Sequence, residues 1–186
     1  MRTFVGIPLP SSFHPWMQTL EAAAKRVDLP VRTVPAETCH ITLCFLGDIQ
    51  ARHVDALTGP LTSAVAGSHV LNVRLDTLGV FKHGDRQSVL WAGSSQESRE
   101  ASDLAAAVDE ACSRIVRRTR EPFLLHVTVA RFHRLAPTVD AHAISQSFPG
   151  PYAFLATQVV LFESRLGLGA PVYCPLLSLP LPAVAE

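Results

Sequence analysis

Apolar positions along this chain recur in two periods, and the switches between them mark out the elements. Arg2 to Ile7 is a short β-branched and aromatic run halted by Pro8 and Pro10, which predicts a first strand. Ser11 or Ser12 can then cap a helix in which Phe13, Trp16, Met17, Leu20, Ala24 and Val27 share one face, a stripe suited to a core. Asp28-Leu29-Pro30 ends that helix, and Arg32 to Glu37 leads through Pro35 into a strand over Thr38 to Gly47. A second helix is predicted over Ala51 to Ala66, with Gly59-Pro60 expected to kink or split it. Val70 to Phe81 alternates imperfectly, Ser88 to Ala92 is a further apolar strand, and Lys82 to Arg86 between them is a polar hairpin loop. A third helix spans Ser98 to Arg117 with Leu104, Ala107, Val108, Ala111 and Ile115 on one face. After a strand at Leu124 to Arg131 come a polar stretch from His133 to Ser147 and the turn Phe148-Pro149-Gly150-Pro151. Strands near Ala153 to Phe162 and Pro171 to Leu177 follow, then a tail from Ser178 to Glu186 that looks loose. This order predicts an α+β protein with mostly antiparallel pairing.

Two of the predicted strands carry the same short motif. His40-Ile41-Thr42-Leu43 and His126-Val127-Thr128-Val129 both read His-x-Thr-x inside apolar surroundings. Alternate strand residues share a face, so each motif sets an imidazole and a hydroxyl side by side, roughly 7 Å apart. Two such pairs facing one pocket supply an acid, a base and two donors for phosphate oxygens. With eight His and twelve Thr in 186 residues, roughly half an instance of His-x-Thr arises by chance. One copy would mean little; two copies in strand-like runs mean more. The plain alternative is two satisfied core histidines beside two ordinary strand threonines.

Composition narrows the picture. A length of 186 residues, 48% hydrophobic and 17% charged, describes one compact domain or two small coupled lobes. Sixteen cations balance sixteen acids, so no global basic field gathers long nucleic acid, and phosphate recognition has to be local. The four cysteines, Cys39, Cys44, Cys112 and Cys174, form no zinc-like spacing, and the other six histidines are scattered, so no metal site is expected. No secretory leader and no membrane-length apolar run is present, and a cytoplasmic protein with reduced thiols is expected. Arg114, Arg117, Arg118 and Arg120 read as a solvated cluster complementing a helix C-terminus.

The two motifs, with Phe45-Leu46-Gly47 after the first and Ala130-Arg131 after the second, resemble the 2H phosphoesterases. Within them the chain is similar to the bacterial RNA 2',3'-cyclic phosphodiesterases once named 2'-5' RNA ligases. Weaker markers fall in the expected order: Phe4 to Pro10, Trp91-Ala92-Gly93, Leu161 through Ser164 to Leu166, and Tyr173. The likeness covers residues 2 to about 177. Two positions depart from the family pattern. Leu125 stands where a proline is frequent, and Ser88 where an arginine is common, with Arg86 or Lys82 as candidate replacements.

The resemblance implies one two-lobed α+β domain over 1–186, with antiparallel sheets flanked by helices. One His-x-Thr strand from each lobe would face a central cleft across a pseudo-twofold. It implies a monomer without metal or cofactor, acting on RNA ends or small nucleotides that carry a cyclic phosphate, and leaving a 2'-phosphate. It also implies His40 as general acid, His126 as general base, Thr42 and Thr128 as phosphate-binding hydroxyls, and Arg131 as a partner for phosphate charge. The chemistry agrees with the residues. Opening a cyclic phosphodiester takes a base for water, an acid for the departing ribose oxygen and donors for charged oxygens, and imidazole serves either role near its ordinary pKa. Strict alternation points Arg131 away from His126, so its role requires the strand to end or bulge at Ala130. Phe45 likewise alternates away from His40 and reads as core, while Phe81 and Phe132 are candidate stacking surfaces.

Other readings bound this one. The chain has no G-x-x-x-x-G-K-[ST] loop, and Lys82-His83-Gly84-Asp85 is no adenylation motif, so ATP-driven ligation is not expected. ATP-independent 2'-5' ligation, the reverse of hydrolysis, is compatible with the same site. The alternatives are a phosphodiesterase for 2'-5'-linked oligonucleotides or small cyclic phosphates of ADP-ribose type, a non-catalytic RNA-end binder, and a histidine-based metal hydrolase.

Overall fold

The computed structural model describes residues 1–117, 122–134, 136–165 and 171–183. Its elements run β1 (Arg2–Pro8), α1 (Phe13–Arg26), β2 (Val31–Thr33), a 3-10 turn at Ala36–Thr38, β3 (His40–Asp48), α2 (Ala51–Ala66), β4 (Leu71–Leu75), β5 (Thr77–His83) and β6 (Arg86–Gly93). They continue with α3 (Arg99–Ser113), β7 (His126–Phe132), α4 (Ala141–Gln146), β8 (Tyr152–Ala156), β9 (Gln158–Arg165) and β10 (Val172–Pro180). The strands make an antiparallel sheet in the order β10-β9-β1-β3-β7-β6-β5, with β2 added to β7, and a separate β4-β8 pair. The architecture is α+β, as the pattern predicted.

The two motif strands are neighbours at the middle of the sheet. They meet at one register pair, Ile41 opposite Val127, and then diverge. Along the same β7, Val31 to Thr33 of β2 pair with Phe132 to Ala130, so a short strand fills the wedge that β3 leaves. One sheet face is covered: Ile41, Leu43, Val127 and Val129 are buried in a core that α1, α2 and α3 complete through Leu20, Leu57, Leu61 and Leu104. The other face carries the motif histidines.

Several boundaries differ from expectation, each for a local reason. Helix α2 passes through Pro60 unbroken. Gly59 before it has no Cβ to meet the proline ring, and nothing stands within 4 Å of where one would be. The Val70 to Phe81 run is two strands in two sheets, because Asp76 turns the chain between them. Its carboxylate accepts from the Ser95 amide at 2.7 Å and its amide donates to the Gly93 carbonyl at 2.8 Å. The third helix stops at Ser113, and Ser98 is its N-cap, accepting from the Ala101 amide. Within the polar stretch after His133, Asp140 caps α4 through the Ala143 amide, and the run near Ala153 to Phe162 breaks at Thr157.

The tail is fixed where it is described. β10 continues to Pro180, Leu181 is buried, and the Leu181 and Val70 amides donate to the Thr157 and Pro182 carbonyls. Leu166, Arg118, Arg120 and residues 184–186 lie outside the described residues. Arg114 pairs with Glu110 at 3.3 Å. Among the described residues no helix is long and apolar enough to cross a membrane.

In the β5–β6 hairpin, Gly79 stands opposite Trp91, and a Cβ at Gly79 would overlap the indole ring. Replacing Gly79 with valine should therefore destabilise the protein by about 1–3 kcal/mol, the usual range for overpacking. Urea unfolding reads this as a lower midpoint, and an unchanged midpoint would contradict the packing.

Candidate active site

Both motif strands show the same order of burial: half-buried His, buried, half-buried Thr, buried, buried, exposed, buried. The doubled buried position marks a β-bulge. In β3, Thr42 pairs with Gly6 and Cys44 with Val5, so Leu43 has no partner on β1. In β7, Thr128 pairs with Trp91 and Ala130 with Leu90, so Val129 has none on β6. The extra residue falls at the fourth motif position in both, and it shifts the alternation by one. Phe45 and Arg131 consequently emerge on the same face as the histidines.

This supplies the bulge that Arg131 required, and it corrects the reading of Phe45. That ring is 54% exposed and lines the cleft; it is not core. On the other edge of β7 the Val129 carbonyl accepts the Val34 amide at 3.0 Å, continuing the β2 pairing.

Extending the Ile41–Val127 register sets His40 across from Thr128 and His126 across from Thr42. All four side chains line one cleft of about 680 Å³. Neither threonine hydroxyl is committed to another protein group among the described residues. Each imidazole is held from behind in the same way. His40 Nδ1 lies 2.8 Å from the Thr38 carbonyl oxygen, and His126 Nδ1 lies 2.9 Å from that of Leu124. A carbonyl only accepts, so each Nδ1 carries the hydrogen, and in the neutral ring Nε2 keeps its lone pair for the cleft.

Aromatic rings fix the imidazole planes. Phe4 lies 4.5 Å from the His40 ring and Tyr173 meets it edge-on at 5.0 Å. Phe81 meets His126 edge-on at 4.9 Å, with Trp91 behind at 6.3 Å. Phe81 thus stands beside His126, whereas Phe132 is buried and faces away from the cleft. Past Thr42 and His126 the cleft opens into a further cavity of about 560 Å³ bordered by Phe81, Phe123 and Leu124.

Burial pushes the His40 pKa below its ordinary value; the bond to Thr38 opposes this and repulsion from His126 adds to it. Burial likewise lowers His126, against its bond to Leu124. Among the described residues no carboxylate lines the cleft itself, and Asp109 borders the adjoining cavity past His126. Cys39, next to His40, is pushed up to about 12 by burial and by Glu37, so it stays a thiol and not a nucleophilic thiolate. Among the described residues no group of three or more His, Cys, Asp or Glu side chains is arranged to hold a metal ion.

The structure also sorts the basic residues. Arg131 lines the cleft, whereas the two candidates for the arginine missing at Ser88 do not. Arg86 donates to the Arg134 carbonyl at 3.1 Å, and Lys82 borders a separate cavity between β5 and α4. Arg2 and Arg32 do line the cleft. Sequence reasoning missed both because nothing local marks Arg2, and Val31–Thr33 is too short to read as a strand.

A family model described as the 2'-5' RNA ligase superfamily matches residues 9–167. The chain is 27% identical over 165 residues to an RNA 2',3'-cyclic phosphodiesterase of Geobacillus stearothermophilus, covering 88% of this chain and 52% of that one. It therefore spans about half the length of that relative. Among solved structures, TT0787 of Thermus thermophilus superposes with a TM-score of 0.77 at 23% identity, covering 100% of both chains. E. coli LigT complexed with 3'-AMP gives 0.77 at 24% identity over 97% of each. These likenesses establish the fold.

The histidine environment sets a pH dependence of stability. The unfolded chain titrates its histidines near pH 6.5, and both folded values lie lower. As pH falls the unfolded chain takes up protons first. Stability is complete above about pH 6.5 and is lost as pH drops through the folded pKa values. Urea midpoints should rise between pH 5 and pH 7, less steeply in His40→Gln; equal slopes in the two proteins would contradict the depressed His40 value.

Proposed function

The chain belongs to the 2'-5' RNA ligase superfamily, and on that premise we propose that its cleft opens 2',3'-cyclic phosphates at RNA ends to leave 2'-phosphates, without a metal. The reading takes the chain as one two-lobed domain working as a monomer. The observation that carries it is the pair of imidazoles, each tied at Nδ1 to a carbonyl two residues earlier and facing one cleft beside two threonine hydroxyls. The activity named for the Geobacillus relative supports the same substrate class.

In this reading the reacting phosphate lies between Thr42 and Thr128, whose hydroxyls donate to its nonbridging oxygens. Water attacks phosphorus opposite the ribose 3'-oxygen. His126 Nε2 accepts the water proton as the P–O bond forms, and the P–O3' bond breaks as His40 Nε2–H delivers a proton to O3'. The 2'-phosphate ester remains. Arg131 balances the charge that the phosphate brings.

Burial lowers the His40 pKa and so makes its imidazolium a ready proton donor, as the acid role asks. Empty, the cleft holds imidazoles that resist protonation; a bound phosphodiester anion favours imidazolium again, so the acid is loaded by the substrate itself. Hydrolysis leaves His40 neutral and His126 protonated. That is the protonation state for the reverse reaction, in which a 2'-phosphodiester closes on O3' and releases an alcohol. Entry of a 5'-hydroxyl in place of water gives 2'-5' joining from the cyclic phosphate, with no ATP.

The direct test is a short RNA ending in a 2',3'-cyclic phosphate, incubated in EDTA, with the product phosphate located by phosphorus NMR. A 2'-phosphate is expected, and His40→Ala or His126→Ala should each lower turnover by about 10²-fold or more. Near-normal turnover in either variant removes that histidine from its role, and loss in EDTA restores the metal-hydrolase reading. Binding of the RNA without turnover in the wild type would indicate an RNA-end binder. Thr42→Val should lower kcat by about 10²-fold, as loss of one oxyanion donor does, and full activity would return Thr42 to the core. The pH profile of kcat/KM should be a bell that reports the coupled pair, with its maximum on the acid side of pH 6.5 because both imidazole values are depressed. A flat profile from pH 5 to 9 would contradict paired acid and base.

A further inference from the structure

Three arginines line the cleft beyond the histidines: Arg131 on β7, Arg32 on β2 and Arg2 at the start of β1. Arg32 and Arg131 are register partners in the antiparallel β2–β7 pair, so two guanidinium side chains rise from directly opposed positions. Like charges placed that way repel and weaken a sheet. Four arginines elsewhere are matched, Arg74 with Asp76, Arg99 with Asp103, Arg114 with Glu110 and Arg165 with Glu163, while among the described residues Arg26, Arg52 and Arg134 stand singly on the surface. Among the described residues none of the three cleft arginines has a carboxylate partner, and no carboxylate lines the cleft around them. A wall of unmatched guanidinium groups is stable when an anion other than a side chain completes it.

The position of that anion follows from the strand. Arg131 lies three residues past Thr128, roughly 10 Å along β7, within reach of the reacting phosphate through its long side chain. Arg32 stands opposite it on the next strand, in the wedge where β3 and β7 have parted. With Arg131 given to the reacting phosphate, which carries a single negative charge, Arg32 and Arg2 are left for a second anion. On the opposite wall the position equivalent to Arg131 is the exposed ring of Phe45. Tyr173, edge-on to His40, feels the charge of both Arg131 and Arg2, so the arginines converge on the cleft instead of spreading over the surface.

An RNA end with a cyclic phosphate carries a second anion at fixed short range, the phosphodiester on the 5' side of its terminal nucleoside. A cyclic mononucleotide with a free 5'-hydroxyl has none. We propose that Arg32, with Arg2, holds this upstream phosphodiester while Arg131 faces the reacting one, so that the cleft selects oligonucleotide ends over cyclic mononucleotides. The assignment rests on the cyclic-phosphate reading of the site and adds a substrate length to it.

The test compares a trinucleotide ending in a 2',3'-cyclic phosphate, the same RNA with its last linkage replaced by an uncharged methylphosphonate, and a nucleoside 2',3'-cyclic monophosphate. The wild type should show kcat/KM about tenfold or more higher on the natural trinucleotide than on either of the others. Arg32→Ala, at an exposed position that can lose its side chain without a cavity, should cost about tenfold on the natural RNA and much less on the methylphosphonate RNA. Equal losses on both, or no wild-type preference, would overturn the proposal. A second measurement needs no turnover: binding of a trinucleotide ending in a 2'-phosphate, followed against salt. The slope of log K on log salt should be shallower in Arg32→Ala by about 0.7, one phosphate contact on a single strand. Identical slopes overturn the upstream phosphate site even where cyclic phosphates are opened. A changed slope in a protein that opens no cyclic phosphate sustains the site and sinks the catalytic reading.

Discussion

One backbone pair, Ile41 opposite Val127, holds the two motif strands side by side, and the rest of the cleft follows from it. Antiparallel register at that pair sets each histidine across from the other strand's threonine, so acid, base and two hydroxyls share a few ångströms of sheet surface. Beyond it the inner edge of β7 pairs with β2 instead, at Ala130 to Phe132. The strands part, and the gap between them becomes the cleft. A longer ladder would close that gap; none at all would leave the histidines without a common phosphate.

The repeated bulge has a second consequence. By adding Leu43 and Val129 without partners, it returns the fifth residue after each histidine to the open face. The two halves then present different chemistry at equivalent positions, an aromatic ring from Phe45 and a guanidinium from Arg131. A nucleotide is itself asymmetric in this sense, with a flat base and a charged phosphate. A pseudo-symmetric frame thus carries an asymmetric ligand surface, and two residue choices break the symmetry.

Electrostatically the cleft is built for an anion it does not supply. Burial depresses both imidazoles, arginines face one another without acids, and among the described residues no carboxylate lines the cleft itself, Asp109 bordering only the adjoining cavity. Each of these features opposes positive charge in the empty protein and is relieved by a phosphate. Neutral imidazole would be lost beside a neighbouring carboxylate, which would hold it charged and compete for the arginines. The same absence that weakens the empty cleft therefore strengthens the occupied one.

The element classes and the shared face within each histidine–threonine pair were legible along the chain, because strand periodicity is local and His-x-Thr falls within it. The sequence by itself also determined that phosphate recognition had to be local, since the chain has no net charge. What it left open was set by contacts distant along the chain. Phe45 read as core and Arg131 as misdirected because a bulge is a mismatch between two strands, and neither strand alone records it. Gly59-Pro60 read as a kink or split, yet α2 runs through it, because Gly59 has no Cβ to meet the proline ring. Asp76 divides a run that looks continuous because its partner, Ser95, lies in a later segment. Arg2 and Arg32 were invisible as site residues for the same reason: only the sheet, by setting β2 in the wedge beside β7, brings those positions to the histidines. Local order came from the chain, and the cleft came from register, which is a property of pairs.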